Sequence, residues 1–390
     1  MRTELRMIWH ILDVRAVWIK EFAAALSAQA DTLGWCPRIT GTGMFRDSES
    51  ETQLSNPELR VRYFPLQRGF AKFPINLIAR EAERVSRRIL KRTERPADSV
   101  LVCTSPHYAP VAERWPGRVV YYVTDLFIAY GDNPAFVTAL DRRICRAADV
   151  VCPNSDRIAE YLTQSAGCDP EKLSIIPNAT RQVNVLPAPS FHSTVEVPDD
   201  IRDLEKPFAG VLGNLAANMD WLILEEVVAR TPWLSWVFVG PTEMEISDAS
   251  QRAARQRVKQ LGGRVRFVGA KPYAELQNYA RAIDVAILPY RKSEPTYSGS
   301  ATRFYEHLAA GRPIIATRGF AELLKKEPLL RLVDTAGEMT LVLDELRVAD
   351  FRDGQETLRW STSQTETWEE RASMMINALN KQVARDREAA

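Results

Sequence analysis

The feature that most limits how this chain can fold is an alternation that runs almost its whole length. Short apolar runs of strand length alternate with amphipathic runs of helix length, and this order calls for parallel strands joined by helices. "MIWHILDV" reads as a first strand. "WIKEFAAALSAQADTLG" reads as a helix stopped by Gly34, "SVLVCTSP" and "RVVYYVTD" as buried strands, and "NPAFVTALDRRICRAA" as a helix. "DVVCPNS", "DRIAEYLTQSAG" and "LSIIPNA" continue as strand, helix and strand. The stretch from Val183 to Pro207 then loses all periodicity and is rich in proline, so it reads as a linker. A second series follows, from "FAGVLGN" through "LSWVFVGP", "RVRFVGA", "IDVAILPY" and "PIIAT", and the chain ends in the amphipathic run "TETWEERASMMINALNKQVARDREAA". The expected organisation is two doubly wound α/β domains, 1–182 and 207–350, joined by 183–206 and followed by a helical crossover and tail, 351–390. In such sheets ligands bind beyond the carboxyl ends of the strands.

Length and composition agree. The 390 residues are 45% hydrophobic with a net charge of +1, which excludes a nucleic-acid binder built on bulk charge. The five cysteines are scattered, and none forms a C-x-x-C pair. Neither a disulfide framework nor a zinc site is expected, only reduced thiols in a cytoplasm. "MIWHILDV" is too short and polar for a signal peptide, and no apolar run approaches the ~18 residues of a membrane span.

Two loops of the second series carry chemistry. In "GVLGNLAANMD", Gly213 and Asn214 follow a strand, and a helix capped by Asn218 or Asp220 comes next. Glycine there lets backbone approach a ligand, although neither a dinucleotide fingerprint nor a P-loop is present. In "SGSATRFYEHLAAGRPIIAT", Ser298 to Thr302 surround a helix start and are expected to leave amides open. Arg303 falls in the first turn and Glu306 three residues on. A cation is poorly placed at a helix N-terminus unless an anion answers it. Arginine for a diphosphate and glutamate for a ribose diol make a nucleotide clamp. An i,i+3 surface ion pair explains the same spacing, and geometry alone leaves both readings open.

The motifs "IIPNA", "GVLGN", "FVGAKPYAELQNYARAIDVAILPY" and "ATRFYEHLAAGRPIIAT" resemble the sugar-nucleotide-dependent glycosyltransferases of the two-Rossmann-domain GT-B class, in particular the family 4-like group. "WEERASMM" is similar to the terminal helix that crosses back to the first domain in that class. The resemblance implies an α/β GT-B fold with a cleft between its domains. It places Arg303 at the donor diphosphate, Glu306 at the ribose, Gly213 and Asn214 in the phosphate loop, Lys271 and Tyr273 near the base, and Tyr290 near the sugar or base. Gly240, Ser300 and Thr302 complete the implied donor set. The donor it implies is a UDP-sugar, and the product a surface polysaccharide or glycolipid. Retaining members carry a second glutamate eight residues before the ribose ligand, where this chain has Ser298, and an Arg/Lys pair that "GNLAANMDW" lacks. Inversion is therefore expected, with a retaining hexosyltransferase, a sugar-nucleotide epimerase and a non-catalytic partner subunit as alternatives.

Inversion needs a base for the acceptor hydroxyl. Asp125 ends the buried run "VVYYV", where flanking aromatics are expected to raise its pKa. The same region resembles the catalytic-aspartate region of xanthan-type bacterial glucuronosyltransferases, and "LDVRAVW" is compatible with their acceptor-side loop, which implicates Asp13 and Arg15. His107, in "CTSPHYAP", is the second candidate for base or acceptor contact; His10 also falls near a strand end, while His192 and His307 carry no assigned role. No D-x-D pair occurs, so no metal or other cofactor is expected. Arg60 to Arg95 is basic with interleaved aromatics, which suits an anionic membrane surface and a polyprenyl-linked acceptor. The expected location is the cytoplasm, peripheral to the inner face of the plasma membrane.

Overall fold

The computed structural model describes residues 7–40, 59–67, 75–93, 96–130, 133–188, 195–216, 218–242 and 246–389. The chain forms two compact units: residues 1–177 with 368–390, and residues 178–367.

The first unit holds a six-stranded parallel sheet. Its strands are β1 (Ile8–Leu12), β2 (Thr32–Thr40), β3 (Arg60–Gln67), β4 (Ser99–Cys103), β5 (Arg118–Val123) and β6 (Val150–Pro153), in the order β3-β2-β1-β4-β5-β6. The helices are α1 (Val17–Ser27), α2 (Ile75–Leu90), the single turn α3 (Ala109–Ala112), α4 (Pro134–Ala147) and α5 (Asp156–Gln164). Every residue of β4 is buried, as expected of a central strand covered on both faces.

Three expectations change here. The first helix stops at Ser27, and Thr32 to Gly34 begin β2 rather than completing a helical turn. Alanines and leucine fit either period, but Leu33 and Trp35 alternate inward and are buried in the sheet. "LSIIPNA" is not a strand: one bridge joins Leu173 to Val151, and the amides of Ser174 and Ile176 donate to Val151 and Pro153 before Pro177 removes a donor. His10 lies in the middle of β1, buried, and accepts a hydrogen bond from Trp35 Nε1 at 3.0 Å.

The second unit repeats the design. Its strands are β7 (Phe208–Leu212), β8 (Ser235–Val239), β9 (Val265–Gly269), β10 (Val285–Leu288), β11 (Ile314–Thr317) and β12 (Arg331–Val333), parallel in the order β12-β11-β10-β7-β8-β9. The helices are α6 (Trp221–Arg230), α7 (Ala249–Gln260), α8 (Leu276–Ala282), α9 (Thr302–Ala310), α10 (Ala336–Val348) and α11 (Glu356–Ser363). Asp220 caps α6, its carboxylate accepting from the Ile223 amide at 3.3 Å. Gly311, at φ +74°, ends α9 and turns the chain toward β11. The stretch read as a linker contributes to this unit's core: Ile201 is fully buried there, with Val195 and Val197 packed against it.

The final helix, α12 (Trp368–Ala389), belongs to the first unit and packs on α1. Gln29 donates to the Glu369 carbonyl and accepts from Ser373, both at 2.8 Å. No helix among the described residues is long and apolar enough to cross a membrane.

Candidate active site

The carboxyl edge of the second sheet gathers a compact polar set. Arg303, in the first turn of α9, donates to Glu306, and the pair is buried rather than superficial: the side chains are 20% and 3% exposed. Gly213, just past β7 at φ +129°, lies directly beneath the arginine, so that a Cβ there would sit 3.3 Å from Arg303 Nε. The Tyr273 ring lies 5.8 Å from the guanidinium. Burial opposes the arginine's charge, but Glu306 and the Tyr273 hydroxyl more than offset it, so its pKa is raised. Tyr290 is also close. Burial pushes its phenol up to about 12, with Arg303 pulling down and Glu306 pushing up. Its ring packs edge-on against Phe320 at 4.8 Å.

Only one oxygen of Glu306 is satisfied. Oε1 is buried without a hydrogen-bond partner, a state that costs about 1–3 kcal/mol for a buried polar group and more when charged. His307 behind it is fully buried with neither ring nitrogen bonded, and burial, aided by Arg303, lowers its pKa to about 3. It stands as a neutral imidazole.

Other expected donor residues have different neighbours. A Cβ on Gly240 would fall 1.6 Å from the Gly213 carbonyl, so glycine is required there by the backbone of the Gly213 turn itself. Lys271 pairs with Asp200 at 2.8 Å, and Asp200 also accepts from Tyr279. Ser300 and Thr302 hold Asn178: the Asn178 amide donates to Ser300 Oγ at 3.0 Å, and its Nδ2 to the Ser300 carbonyl and to Thr302 Oγ1. Nor are the amides at the start of α9 open as expected. That of Ala301 donates to Glu322 at 2.8 Å, that of Thr302 to the Ser300 carbonyl and that of Phe304 to the Ala301 carbonyl. Asn214 is exposed immediately after Gly213.

In the first unit Asp125 follows β5 and is half-buried. Burial raises its pKa to about 6, against hydrogen bonds from Tyr130 Oη to Oδ1 at 3.0 Å and from Thr124 Oγ1 to Oδ2 at 3.3 Å. His107 follows β4, its Nδ1 3.1 Å from Ser105 Oγ. Asp13, past β1, accepts from the Arg15 guanidinium at 2.9 and 3.2 Å and from Tyr108 Oη at 3.0 Å. Asp13 is thus held by Arg15 and Tyr108, and Asp125 by Tyr130 and Thr124. Among the described residues no group of three or more His, Cys, Asp or Glu side chains is clustered as metal ligands.

Two family models match the chain: a glycosyl transferase 4-like domain over residues 19–179 and glycosyl transferases group 1 over residues 206–346. The chain belongs to the GT-B glycosyltransferases. A sequence relative is TuaH of Bacillus subtilis, named as a teichuronic acid biosynthesis glycosyltransferase, 22% identical over 183 residues; the match covers 46% of this chain and 43% of TuaH. Among solved structures, the Anabaena protein HepE in complex with UDP-glucose superposes with a TM-score of 0.64 at 17% identity, over 98% of this chain and all of that one. A sucrose-phosphate synthase from Thermosynechococcus elongatus gives 0.71 at 16% identity, over 97% of this chain and all of that one.

In this glycosyltransferase several residues at the two edges were not singled out from sequence. Glu322 and Asn178 reach the start of α9 from 21 and 122 residues away along the chain, to Ala301 and Ser300 respectively, and no local pattern announces them. Tyr130 could have been found, because an aromatic hydroxyl lies five residues after Asp125 in the same loop.

Proposed function

We propose that the enzyme transfers a sugar from a nucleoside diphosphate donor, a UDP-sugar, to a saccharide or polyprenyl-linked acceptor hydroxyl with inversion of configuration. The donor diphosphate lies against Arg303 over the Gly213 turn, and its ribose hydroxyls donate to Glu306. The observation that carries this reading is Glu306 Oε1, a buried acceptor with no donor beside a buried cation. A surface ion pair leaves no such vacancy. Asp125 takes the proton as the acceptor oxygen attacks the anomeric carbon. The bond from that carbon to the diphosphate breaks, and Arg303 stabilises the departing charge without a metal. The complex of HepE with UDP-glucose and the name of TuaH support a UDP-sugar and a surface polymer.

The test compares UDP with 2′-deoxy-UDP by calorimetry. UDP is expected to bind ~10-fold or more tightly, the worth of a hydrogen bond to a charged group, and Glu306→Ala to abolish the difference. Equal binding of the two nucleotides by the wild type would leave only an ion pair. Turnover is expected to persist in EDTA, and the product's anomeric configuration, read by NMR, decides inversion.

We place the enzyme on the cytoplasmic face of the plasma membrane through α2. Arg80, Arg84, Arg88 and Lys91 are exposed at spacings of four, four and three, in line with Leu77, while Val85 and Ile89 are buried on the other side. Arg68, Phe70, Lys72, Phe73 and Arg95 of the basic stretch lie outside the described residues, as does His192. Sedimentation with phosphatidylglycerol vesicles, lost on Arg80→Gln/Arg84→Gln/Arg88→Gln and at high salt, is the expected result. No sedimentation at any salt would refute this placement.

A further inference from the structure

Strands β7, β10 and β11 begin at Phe208, Val285 and Ile314. The residues just before them, Pro207, Asp284 and Pro313, line a cavity of about 320 Å³ together with the ends of α9 and α10 and the start of α11. This is the amino edge of the second sheet. Gly213 and Tyr290 follow the carboxyl ends of β7 and β10, so the cavity is a different place from the site described above.

Charges on its wall are left unpaired. Lys206 and Asp284 satisfy each other at 3.1 Å, and Asp284 also accepts from the Phe208 amide at 2.7 Å. Glu356, in the first turn of α11, is only 9% exposed, yet no hydrogen bond or ion pair joins its carboxylate to any described residue. A helix start favours that charge but donates nothing to it here, and a buried carboxylate loses hydration that only a donor restores. Arg312 lines the same cavity. Its Nε and Nη2 both donate to the Arg281 carbonyl, at 3.3 and 3.1 Å, which fixes the plane of the guanidinium; no described carboxylate forms an ion pair with it. Arg347 lies over the Trp233 ring at 4.6 Å and likewise has no carboxylate partner among the described residues. Two cations and a buried anion thus face one cavity without touching each other.

The wall is also firmly built. Arg359, fully buried, donates to the Gly311 carbonyl at 3.3 Å, the Leu329 carbonyl at 3.2 Å and Asp353 at 2.8 Å, which ties the end of α9 to α11. Asp350 and Phe351, on the cavity rim after α10, have φ +51° and +56°, in the left-handed region that side chains rarely adopt. Strain of this kind collects at ligand sites.

We propose that this cavity binds an anionic monosaccharide, with its anion on Arg312 and Arg347 and a ring hydroxyl donating to Glu356. The unpaired arginines call for an anion. The unpartnered carboxylate calls for a hydroxyl on the same molecule, and the volume, at the small end for ligand pockets, suits a monosaccharide rather than a nucleotide sugar. The site goes beyond the transfer reaction and does not depend on where the donor binds.

The test is calorimetric titration of glucose 1-phosphate into the full chain saturated with UDP, so that the donor site is filled. One molecule per chain is expected to bind. Affinity is expected to fall about tenfold or more in Glu356→Gln and in Arg347→Gln, and to stay unchanged in Arg230→Gln, a surface control. No binding, or wild-type affinity in both variants, would overturn the site. Arg347 is exposed, so its replacement probes the cavity even if Glu356→Gln does not fold. Inorganic phosphate should bind about tenfold or more weakly than glucose 1-phosphate. Equal binding of phosphate would show that the hydroxyl contact is not made, and tighter binding of glycine that the ligand is a zwitterion; either overturns the assignment. Glucuronate distinguishes the sources: tighter binding than glucose 1-phosphate assigns the anion to a sugar acid, weaker binding to a sugar phosphate, and both support the site. Binding that survives Arg303→Ala but not Arg347→Gln supports it even if UDP fails to bind, whereas the reverse pattern places the sugar phosphate at the donor site and overturns it.

Discussion

Asp125 beyond β5 and Glu306 in α9 are both carboxylates near the carboxyl edge of a parallel sheet, yet their surroundings differ in sign. Asp125 has no cation among its hydrogen-bond partners. Burial raises it to about 6, and two neutral hydroxyls hold it short of a further rise. Glu306 is more deeply buried, but Arg303 shares its site and keeps one oxygen engaged, while the other has no donor. The same functional group thus sits in two different chemical settings. A carboxylate with a pKa near neutrality and neutral partners can exchange a proton. A carboxylate with one oxygen on arginine and the other open offers that oxygen to a hydrogen-bond donor.

The largest expected effect breaks the comparison on the first unit. Asp125→Asn keeps the shape and removes the basic oxygen, so turnover should fall by about 10² to 10⁴ while UDP affinity is unchanged. Steady-state kinetics with calorimetry on the same variant checks both halves. Near-normal turnover would leave Asp125 as a loop residue. A drop in affinity as well would mean that the two edges do not divide the work.

Arg303→Ala should act on the other edge, by less. Losing a charge-assisted contact to diphosphate is expected to weaken UDP binding ~10- to 100-fold, corresponding to about 1.5–3 kcal/mol. Uridine, which has no phosphate, should lose little affinity in the same variant. Equal loss for uridine and UDP would show that the arginine supports the pocket's shape rather than the phosphate.

How much of this was legible in the sequence follows from how far each contact reaches along the chain. The α9 segment reads correctly because its signals are local: Arg303 and Glu306 are three apart, and Gly311 and Pro313 end the helix. The buried strands "VVYYV" and "FAGVL" read correctly because a strand covered on both faces is continuously apolar. What local pattern could not show was competition for the same groups. Amides counted as open at the start of α9 are met by Glu322 and by backbone carbonyls, and Ser300 and Thr302 are engaged by Asn178. Lys271, placed near the base by resemblance, is paired with Asp200. Thr32 to Gly34 were misread for a related reason, since the Trp9 and His10 partners that make them a strand lie more than twenty residues upstream.

The smallest expected effect sharpens the contrast without removing either carboxylate. Tyr130 donates to Asp125 Oδ1 at 3.0 Å, and this bond favours the charged form. With Asp125 as the base, kcat/KM in the wild type should rise with pH through about 6 as the carboxylate loses its proton. Tyr130→Phe removes the donor, so burial acts with less opposition and the acidic limb should move to higher pH. The loss is then greatest on the acid side and fades above neutrality. The sign in stability is the converse: a carboxyl raised in the folded state contributes most below its ordinary range, and that contribution is lost as pH rises through about 6. In Tyr130→Phe the loss should extend to higher pH, and in Asp125→Asn it should vanish. An unmoved kinetic limb together with a shifted stability profile would mean that Asp125 titrates as described but is not the group whose ionisation the reaction needs.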